Sequence, residues 1–524
     1  MISYLFIFFW FLHILQRTFY SLYIWQLKEY RIDRFSEEIG RDRRAIFSRS
    51  SFFALMLLLI AFLLRFSFLS IHLIMLSYLL LGFRSCYLLI REKWIFPKFT
   101  KKMLVLSGVM LFLLIFSTFI FKKFILFIPI FEILFPLYIF FCVQFFQIPV
   151  FFIKTWIKEK ARKKREKFKD LIVIGVTGSF GKSSVKEFLY EILSKKYNIL
   201  KTEANINTEI GIANTVIQKL NKGHQIFICE IGAYKRGEIK RVCEVIKPKI
   251  GILTGINQQH LALFGSQENI VSGKFELIDS LPKGGTAILN WDNSLIRKRT
   301  KKYEDADIKI IKYSVLGKQD VWTDSVKVKK KRVSFKAFSK DGNYADFEID
   351  VLGAQNISNV LSAVCCAKEF GVDMKDAADV LRRTEYVGVM NIKKGVSNTD
   401  IIDFTYSTNP SGVISHLNHL KLWNGRKIIV MPCLIELGRA SEEVHKRIGE
   451  KAGEVCDLVI VTKKRCFSYI KKGALQRGMD EDNVLFIEEP KEILKKIESV
   501  ANPGDVILLE GRISKDIINL LVSK

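Results

Sequence analysis

The amino-acid composition changes abruptly near residue 153. Residues 1–153 hold 29 of the 42 Phe, but only 7 of the 53 acidic residues and 3 of the 31 Gly. A segment this apolar and this poor in acids is typical of a bundle of membrane-spanning helices. Residues 154–524 have ordinary globular composition and enough length for two α/β domains. The sequence therefore predicts a membrane domain followed by a soluble part, and it excludes a disordered chain and a collagen-like fibre.

Apolar blocks in the membrane domain define its predicted spans. They cover residues 2–26, 51–90, 103–121 and 124–153. The second block is about twice as long as the ~20 residues that one helix needs to cross a bilayer, and Arg65 interrupts it. We therefore divide this block into a helical hairpin, which gives five spans.

Basic residues in the loops predict the orientation of these spans. On one side the loops hold 7, 5 and 9 Lys/Arg, in residues 28–49, 91–102 and 154–170, whereas the other side has only Arg65 and residues 122–123. The positive-inside rule then places the N-terminus outside and the whole soluble part in the cytoplasm. We expect a multi-pass protein of the cell membrane with cytoplasmic catalytic domains.

The net charge of +28 could indicate a nucleic-acid partner, but much of the excess flanks the apolar blocks. Residues 154–170 carry nine basic and three acidic residues. A juxtamembrane linker on anionic lipid explains this run more simply than a nucleic-acid tail does. The sequence therefore predicts a membrane partner and no nucleic acid.

The nine Cys residues show no metal-binding pattern. There is no CxxC and no paired Cys/His spacing. In a cytosolic fold, scattered cysteines of this kind are typical of reduced, packed thiols.

A phosphate-binding loop is predicted directly after the apolar run LIVIGV at 171–176, which is typical of a buried parallel strand. The residues of this loop and of the helix start that follows are Thr177, Gly178, Ser179, Phe180, Gly181, Lys182, Ser183 and Ser184. Backbone N–H groups of such a loop meet phosphate oxygens, Lys182 adds a charge, and the Ser183 hydroxyl can ligate Mg²⁺. Val176 stands where the strict GxxxxGK[ST] pattern has its first Gly. The strand–loop–helix context nevertheless favours a nucleotide site over a fortuitous glycine-rich turn.

This loop resembles that of the Mur ligases, ATP-dependent amide-forming enzymes of cell-wall precursor synthesis. The resemblance continues in order through nearly all of 171–524 and is strongest to the family member that adds D-alanyl-D-alanine. The further matching blocks are NINTEIG at 205–211, EIG at 230–232, GEI at 237–239, HLALFGS at 260–266, KFE at 274–276, Gly353 with Asn356 and Asn359, DFTYSTNP at 403–410, and ELG at 436–438 with His445. The resemblance implies a P-loop α/β central domain over 171–390 and a Rossmann-like α/β C-terminal domain over 391–524.

Two residues are predicted to hold Mg²⁺ together with Ser183. Glu230 ends the apolar run QIFICE, so its carboxylate would lie at the sheet edge near the phosphate loop. The alternative for Glu230 is an ordinary charge at a strand end. The resemblance implies that His260 ligates a second Mg²⁺, and the alternative is a hydrogen-bonded loop residue.

The resemblance alone implies that Lys274 is carbamylated by CO₂ and becomes an anion beside the metals. The alternative is a solvated helix lysine that pairs with Glu276 or Asp279. With Lys182, Glu230 and His260, Lys274 completes the predicted catalytic set.

Further residues are predicted to contact nucleotide or substrate. The resemblance places Asn359 beside the adenine, with a helix cap as the alternative. Asn409, with Thr408, would reach the nucleotide across an interdomain cleft. The predicted substrate residues are Asn205, Asn207 and Glu436.

The chain also departs from the pattern of the family. The departures are Phe404 for an Asp, Ser407 for an Asn, Val389 for an Arg and Glu510 for a Lys. In the family these positions lie on the nucleotide or substrate side, so the identity of the substrate stays open. The resemblance also lacks the soluble N-terminal domain that grips the UDP part of the substrate, and apolar segments stand in its place.

The resemblance implies a ligase that uses ATP and two Mg²⁺. A γ-phosphoryl group would pass to a substrate carboxylate, and an amine would attack the resulting acyl phosphate. The expected partners are a small-molecule or lipid-linked carboxylate, namely a muramyl-peptide-like precursor, and an amino acid or dipeptide. The alternatives are a membrane-anchored polyglutamate-type amide ligase and a non-catalytic nucleotide-binding scaffold, which Phe404 and Val389 favour. A folylpolyglutamate synthase relative would carry GKGS where this chain has Lys182 and two serines.

Overall fold

The computed structural model describes residues 2–32, 34–35, 49–121, 124–384, 392–405 and 409–522. These residues fall into two compact units, Met1–Trp156 and Ile157–Lys524. The departures at Val389 and Ser407, and the predicted nucleotide residue Thr408, lie outside the described residues.

The first unit consists of apolar helices. Their bounds are Ile2–Leu27, Arg49–Leu63, Phe68–Ile90, Lys101–Phe121 and Ile128–Glu166, with a 3₁₀ turn at Ile125–Phe127. Large aromatic side chains such as Trp10, Trp25 and Tyr78 fill the core of the unit. The outward faces are apolar too, and Phe68 and Phe145 are each 77% exposed. Helices that are apolar on all sides suit a lipid environment.

Among the described residues, four helices are long and apolar enough to cross a membrane. They are Leu5–Leu27, Phe68–Ile90, Lys101–Phe121 and Ile125–Glu166. The predicted break near Arg65 is present, because one helix ends at Leu63 and the next begins at Phe68. The helix before the break has 15 residues, or roughly 22 Å at ~1.5 Å per residue, against a hydrocarbon core of ~30 Å. This second predicted span is therefore shorter than the sequence suggested.

Reporter fusions test the five-span topology. A reporter fused after residue 170 should behave as cytoplasmic, and one inserted near Lys122 as external, because basic loops remain inside. A reporter at the N-terminus should be external if Arg49–Leu63 crosses the membrane and cytoplasmic if it does not. Five crossings keep the basic loops 28–49 and 91–102 on one side, so we expect the external result. An external reporter after residue 170 would contradict the orientation altogether.

The second unit begins with a nine-stranded sheet. Its strands, in chain order, are β1 Ile172–Thr177, β2 Ile199–Lys201, β3 Ile226–Glu230, β4 Ile250–Leu253, β5 Gly285–Asn290, β6 Ile308–Ser314, β7 Val321–Val328, β8 Val333–Ser339 and β9 Tyr344–Ile349. Their spatial order is β2-β3-β1-β4-β5-β6-β7-β8-β9. Strands β1 to β6 are parallel, and β7 to β9 form an antiparallel extension.

Helices cover both faces of the parallel strands. Their bounds are Lys182–Leu193, Glu209–Lys219, Glu238–Ile246, Leu261–Phe264, Gln267–Asp279, Ser294–Thr300, Gln355–Lys368 and Met374–Arg383, with a 3₁₀ turn at Lys301–Tyr303. Strand β1 is buried on both sides, because Ile174 and Val176 belong to one core and Val173 to the other. The strand order reverses at β1, so the carboxyl end of this strand is the switch point at which α/β sheets bind ligands.

A second sheet forms the C-terminal domain. Its strands are β10 Ile392–Lys394, β11 Asp400–Phe404, β12 Lys427–Met431, β13 Leu458–Val461, β14 Val484–Phe486 and β15 Val506–Glu510, in the spatial order β10-β11-β15-β12-β13-β14. All pairs are parallel except β10 with β11. The helices are Pro410–Leu420, Ser441–Val455, Lys464–Leu475, Pro490–Glu498 and Lys515–Leu521, with 3₁₀ turns at Val396–Asn398, Gly438–Ala440 and Glu481–Asn483. The predicted fold class, apolar helices followed by two α/β domains, is confirmed.

One prediction about the cysteines is wrong. Cys433 and Cys466 form a disulfide, with their Cα atoms 5.6 Å apart. The two residues are 33 positions apart in sequence, and only folding brings them together. The remaining seven cysteines are free, as expected.

Candidate active site at the carboxyl edge of the central sheet

The predicted phosphate loop lies at the switch point, between the end of β1 and the helix Lys182–Leu193. Gly178 has φ 152°, and a Cβ there would lie 2.1 Å from Oγ1 of Thr254. Gly181 has φ 77°, and its Cβ would lie 2.2 Å from Oδ1 of Asn359. Both positions therefore require glycine for backbone conformation and for space.

Residues after β4 hold the loop in place. Ser179 donates its backbone N–H to the carbonyl of Gly255 at 2.7 Å, and its Oγ accepts from the backbone N–H of Asn257 at 3.2 Å. Thr254 donates its hydroxyl to the carbonyl of Phe180. Thr177 donates its own hydroxyl to the carbonyl of Ile231, at 2.9 Å. The loop is thus fixed from both neighbouring strands.

Lys182 supplies a positive charge at this loop. Its Nζ donates to the carbonyl of Gly178 at 2.9 Å. Burial lowers the pKa of Lys182, and the charge of Glu230 opposes that shift. Ser183 is exposed and Ser184 is half-buried at the start of the helix. The N–H groups in the first turn of a helix have no intrahelical partners. Together with a nearby lysine, they favour an anion such as phosphate.

Glu230 ends β3 as predicted and is only 3% exposed. Its Oε1 accepts from Nδ2 of Asn207 at 3.1 Å, and its Oε2 from Nζ of Lys186 at 3.3 Å. Sequence reasoning missed Lys186, although it lies four residues after Lys182 and so on the same face of one helix. The predicted substrate residue Asn207 is therefore a partner of the predicted metal ligand.

The arrangement around Glu230 is compatible with Mg²⁺. Each carboxylate oxygen has two lone pairs, so one N–H donor apiece leaves room for a cation. Among the described residues no group of three or more His, Cys, Asp or Glu side chains could hold a metal ion. Mg²⁺ usually takes one or two carboxylates and completes its shell with water and phosphate oxygens. Glu230 and Ser183 would hold the ion together with water and phosphate oxygens.

His260 follows β4 and contacts the C-terminal domain. It has φ 64°, and its Nδ1 pairs with the carboxylate of Glu436. The carbonyl of Glu436 also accepts from the backbone N–H of Ala262, at 3.0 Å. Burial lowers the pKa of His260, and Glu436 opposes that shift. A carboxylate on Nδ1 leaves Nε2 as the atom that could bind a metal ion, which is the usual arrangement in metal-binding histidines.

Glu436 is a predicted substrate residue, and in the structure its carboxylate pairs with His260. His445 fixes the segment before it, because its Nε2 accepts from the backbone N–H of Leu434 at 2.9 Å and its Nδ1 lies 2.6 Å from the carbonyl of Ser441. The family block around these residues therefore builds an interdomain contact.

Lys274 lies inside the helix Gln267–Asp279 and is only 2% exposed. No hydrogen-bond or ion-pair partner of its Nζ is found among the described residues, and the ring of Phe264 lies 6.0 Å away. Burial, reinforced by the charge of Lys182, lowers the pKa of Lys274 to about 7. A neutral amine is the form that reacts with CO₂, so the site suits the predicted carbamate.

The alternative for Lys274, a solvated helix lysine, is wrong. Glu276 accepts from the backbone N–H groups of Gly237 at 2.5 Å and Lys240 at 3.0 Å, which caps the helix Glu238–Ile246. Asp279 accepts from the hydroxyl of Tyr303 at 2.6 Å. Both expected partners are therefore engaged with other groups.

The two predicted nucleotide-side asparagines both lie close to the phosphate loop. Asn359 is within the helix Gln355–Lys368 and against Gly181, so the alternative of a helix cap is wrong. Asn409 caps the helix Pro410–Leu420 and accepts from Nδ2 of Asn257 at 2.9 Å. Because Asn257 also bonds Ser179, Asn409 connects the C-terminal domain to the loop. The predicted substrate residue Asn205 is exposed, with φ 67°.

Two departures from the family pattern, Phe404 and Glu510, share one partner. They are register neighbours at the ends of β11 and β15. The ring of Phe404 stacks on His416, with centroids 3.5 Å apart. Nδ1 of His416 lies 2.7 Å from Oε2 of the fully buried Glu510. His416 thus compensates a carboxylate that replaces a lysine, and the two changes form one cluster.

Comparison with known proteins agrees with this architecture. Residues 176–367 match the family described as "Mur ligase middle domain", and residues 382–513 match "Mur ligase, glutamate ligase domain". The UDP-N-acetylmuramoyl-tripeptide–D-alanyl-D-alanine ligase of Bacillus subtilis is 27% identical over 346 residues, which cover 65% of this chain and 72% of that protein. The enzyme of the same name from Synechocystis sp. is 30% identical over 342 residues, covering 65% and 71%.

Solved structures share the fold. MurF from Acinetobacter baumannii superposes with a TM-score of 0.63 at 24% identity, covering 70% of this chain and 80% of that one. MurF from Thermotoga maritima, solved in complex with ADP, superposes with a TM-score of 0.61 at 24% identity and covers 70% and 83%.

Proposed function

The chain belongs to the Mur ligase family of enzymes, and we propose that it is an ATP-dependent ligase acting at the membrane. It joins an amino acid or dipeptide, with D-alanyl-D-alanine as the first candidate, to the carboxylate of a muramyl-peptide-like precursor. The observation that carries the proposal is the meeting of a glycine-dependent phosphate loop, Lys182, Glu230 and the buried Lys274 at one sheet edge.

The proposed chemistry begins at the phosphate loop. An oxygen of the substrate carboxylate attacks the γ-phosphorus of ATP, the bond from phosphorus to the β,γ-bridging oxygen breaks, and ADP leaves. Lys182 and the helix N-terminus stabilise the charge that develops on the phosphate oxygens. Bound Mg²⁺, held by Glu230 and Ser183 with His260 available through Nε2 for a second ion, would neutralise further negative charge.

The second half of the reaction forms the amide. The amine attacks the acyl carbon, the bond to the phosphate oxygen breaks, and phosphate and a proton are released. Water must be kept from the acyl phosphate, and contacts between the two α/β domains support this exclusion. They are the pair His260–Glu436 and the bonds of Asn257 to Asn409 and Ser411, the latter at 3.1 Å.

Phosphate release by the purified full-length chain tests the proposal. With ATP and Mg²⁺, we expect release only when both a muramyl tripeptide and D-alanyl-D-alanine are present. Release with glutamate as the amine would favour the polyglutamate-type alternative. Nucleotide binding without phosphate release for any of these substrate pairs would favour the non-catalytic scaffold and would contradict the proposal.

A Glu230 variant distinguishes the catalytic role of this residue from its structural role. Glu230→Gln should lower the rate by roughly two decades, as expected for loss of one charge contact in the transition state, and should weaken the Mg²⁺ dependence. It should also destabilise the fold, because it takes the carboxylate partner from the buried Lys186. Breaking a buried pair costs about 3–5 kcal/mol, although Glu187, 3.4 Å from the same Nζ, remains.

The double variant Glu230→Gln/Lys186→Met is the control for that experiment. It removes both charges, so it should recover thermal stability but not rate. Recovery of the rate with stability would mean that Glu230 is only structural.

A further inference from the structure

A cavity of about 750 Å³ lies within the helical unit. Its walls come from the helices Ile2–Leu27, Phe68–Ile90 and Ile128–Glu166 and from residues near Ser50 and Lys93. This volume is within the range of ~300–1,000 Å³ for small-molecule sites. Three of its walls are helices long and apolar enough to cross a membrane. The cavity therefore lies in the part of the chain that we expect in the membrane.

Most of the lining is apolar or aromatic, including Trp25, Phe35 and Phe140. Three cations also line the cavity, namely Arg17, Arg84 and Lys93, whereas none of its lining residues within the described part of the chain is acidic. A site with apolar walls and several cations is suited to a ligand that has both a hydrocarbon part and an anionic part.

Arg17 is part of a buried polar network. One guanidinium nitrogen pairs with Glu132, which is fully buried, and the other donates to Oγ of Ser51 at 3.1 Å. Nε2 of His13 lies 3.4 Å from the same carboxylate, and Nδ1 lies 3.4 Å from Oγ of Ser85. The charge of Arg17 is therefore largely compensated within the protein.

Arg84 and Lys93 differ from Arg17 in this respect. No carboxylate among the described residues forms an ion pair with either of them, although both line the cavity. Arg84 lies within the helix Phe68–Ile90, and an ionisable group within a membrane helix is costly and usually marks a ligand or ion site. Two cations without an ion pair to the described carboxylates, on a mostly apolar cavity, suit an anionic ligand group, and phosphate is well suited to Arg and Lys.

We propose that this cavity binds the phosphate group and the first part of the hydrocarbon chain of a lipid phosphate. Resting on the proposed function, this assigns the carboxylate substrate to a lipid-linked class, in which a membrane lipid phosphate carries the muramyl-peptide-like group. The cavity lies outside the segments that match the family, 176–367 and 382–513. It thus provides substrate recognition in addition to the catalytic site.

Binding to the full-length chain in detergent tests the cavity. The probes are farnesyl phosphate, farnesol and inorganic phosphate. Farnesyl phosphate should bind at least tenfold more tightly than farnesol, and inorganic phosphate should not displace it. Equal binding of farnesol, or full displacement by inorganic phosphate, would overturn the proposal.

A pair of matched double variants identifies the cations responsible. Arg84→Gln/Lys93→Gln should weaken farnesyl phosphate at least tenfold. Arg65→Gln/Lys101→Gln removes the same charge from residues outside the cavity lining and should change binding less than threefold. Arg84→Lys, which keeps the charge, should retain most of the affinity, and this variant remains informative if the double variant does not fold. Equal loss in both double variants would contradict a specific site.

Activity measurements distinguish failure of this inference from failure of the proposed function. With D-alanyl-D-alanine as amine, a muramyl tripeptide linked to a lipid phosphate should give a KM at least tenfold lower than the UDP-linked form. The cavity variant should raise the KM of the lipid-linked form alone. Equal KM values with full turnover would overturn the lipid-linked assignment and leave the ligase intact. Absence of phosphate release with both forms would overturn the ligase, while the binding measurements would still decide the cavity.

Discussion

Lys182→Ala is expected to abolish ATP turnover, with a loss of at least ~10²–10³ in rate, the scale of removing one charge contact to a transition state. The side chain lies at the switch point of the central sheet, where its Nζ is 2.9 Å from the carbonyl of Gly178. Without the Lys182 side chain, the phosphate loop keeps its backbone N–H groups but loses its nearest positive charge. The fold should survive, because the half-buried side chain has this single hydrogen bond to backbone.

The control for this variant is Lys195→Ala, an exposed lysine just beyond the end of the same helix. It should leave both phosphate release and the melting temperature unchanged. The Lys182 variant should melt within a few degrees of the parent and bind ATP more weakly. Near-normal turnover in a folded Lys182→Ala protein would show that the phosphate site has been assigned to the wrong loop.

The phosphate site could be predicted from sequence because its determinants are local. A buried strand, two glycines and a lysine at a helix start follow one another within about ten residues, and the positive φ of Gly178 and Gly181 is a conformation that glycine itself permits. The same holds for Glu230, since its place at the end of an apolar run fixes it at the sheet edge.

Contacts between distant segments could not be predicted in the same way. His260 and Glu436 are 176 positions apart, and each residue was assigned a separate role. The stack of Phe404 on His416 and the pair His416–Glu510 also depend on three segments meeting. As isolated departures, Phe404 and Glu510 left the identity of the substrate open, whereas in the structure they form one cluster with His416.

The other differences between prediction and structure concern the burial of a side chain and the length of a helix. The pattern KFE gave no sign that Lys274 faces inward while Glu276 caps a neighbouring helix, because the two residues lie on different faces of one helix and three residues do not show which face is buried. In the helical unit the break near Arg65 was visible as a charge, but the hydropathy of the block did not show that its first helix has only 15 residues.

Lys274→Ala is expected to be inactive, because Lys274 should work as a carbamate. An ammonium beside Lys182 would repel the cations of a triphosphate site, whereas a carbamate reverses that sign and offers two oxygens suited to Mg²⁺. The buried lysine, with a pKa of about 7, is substantially neutral at physiological pH and available to CO₂. Activity should therefore fall when bicarbonate and CO₂ are stripped and return when they are restored.

The pH dependence of that recovery follows from the direction of the shift. Burial disfavours the charged amine, so the reactive neutral form increases as the pH rises through about 7 rather than through its usual range near 10.5. At constant dissolved CO₂, the rate of reactivation should rise through pH 7 and level off above it. A rate that keeps rising towards pH 10 would mean that an exposed lysine is the one modified.

Two replacements of different volume distinguish a missing anion from disturbed packing. Lys274→Ala leaves space in the buried site, so acetate or formate should restore part of the activity. Lys274→Met fills the space without a charge and should be inactive with or without them. Lys283→Ala, an exposed lysine on the loop that follows the same helix, should behave like the parent. If Lys274→Ala turned over normally and ignored bicarbonate, the buried lysine would have to be a neutral packing residue, because its expected ion-pair partners are engaged elsewhere.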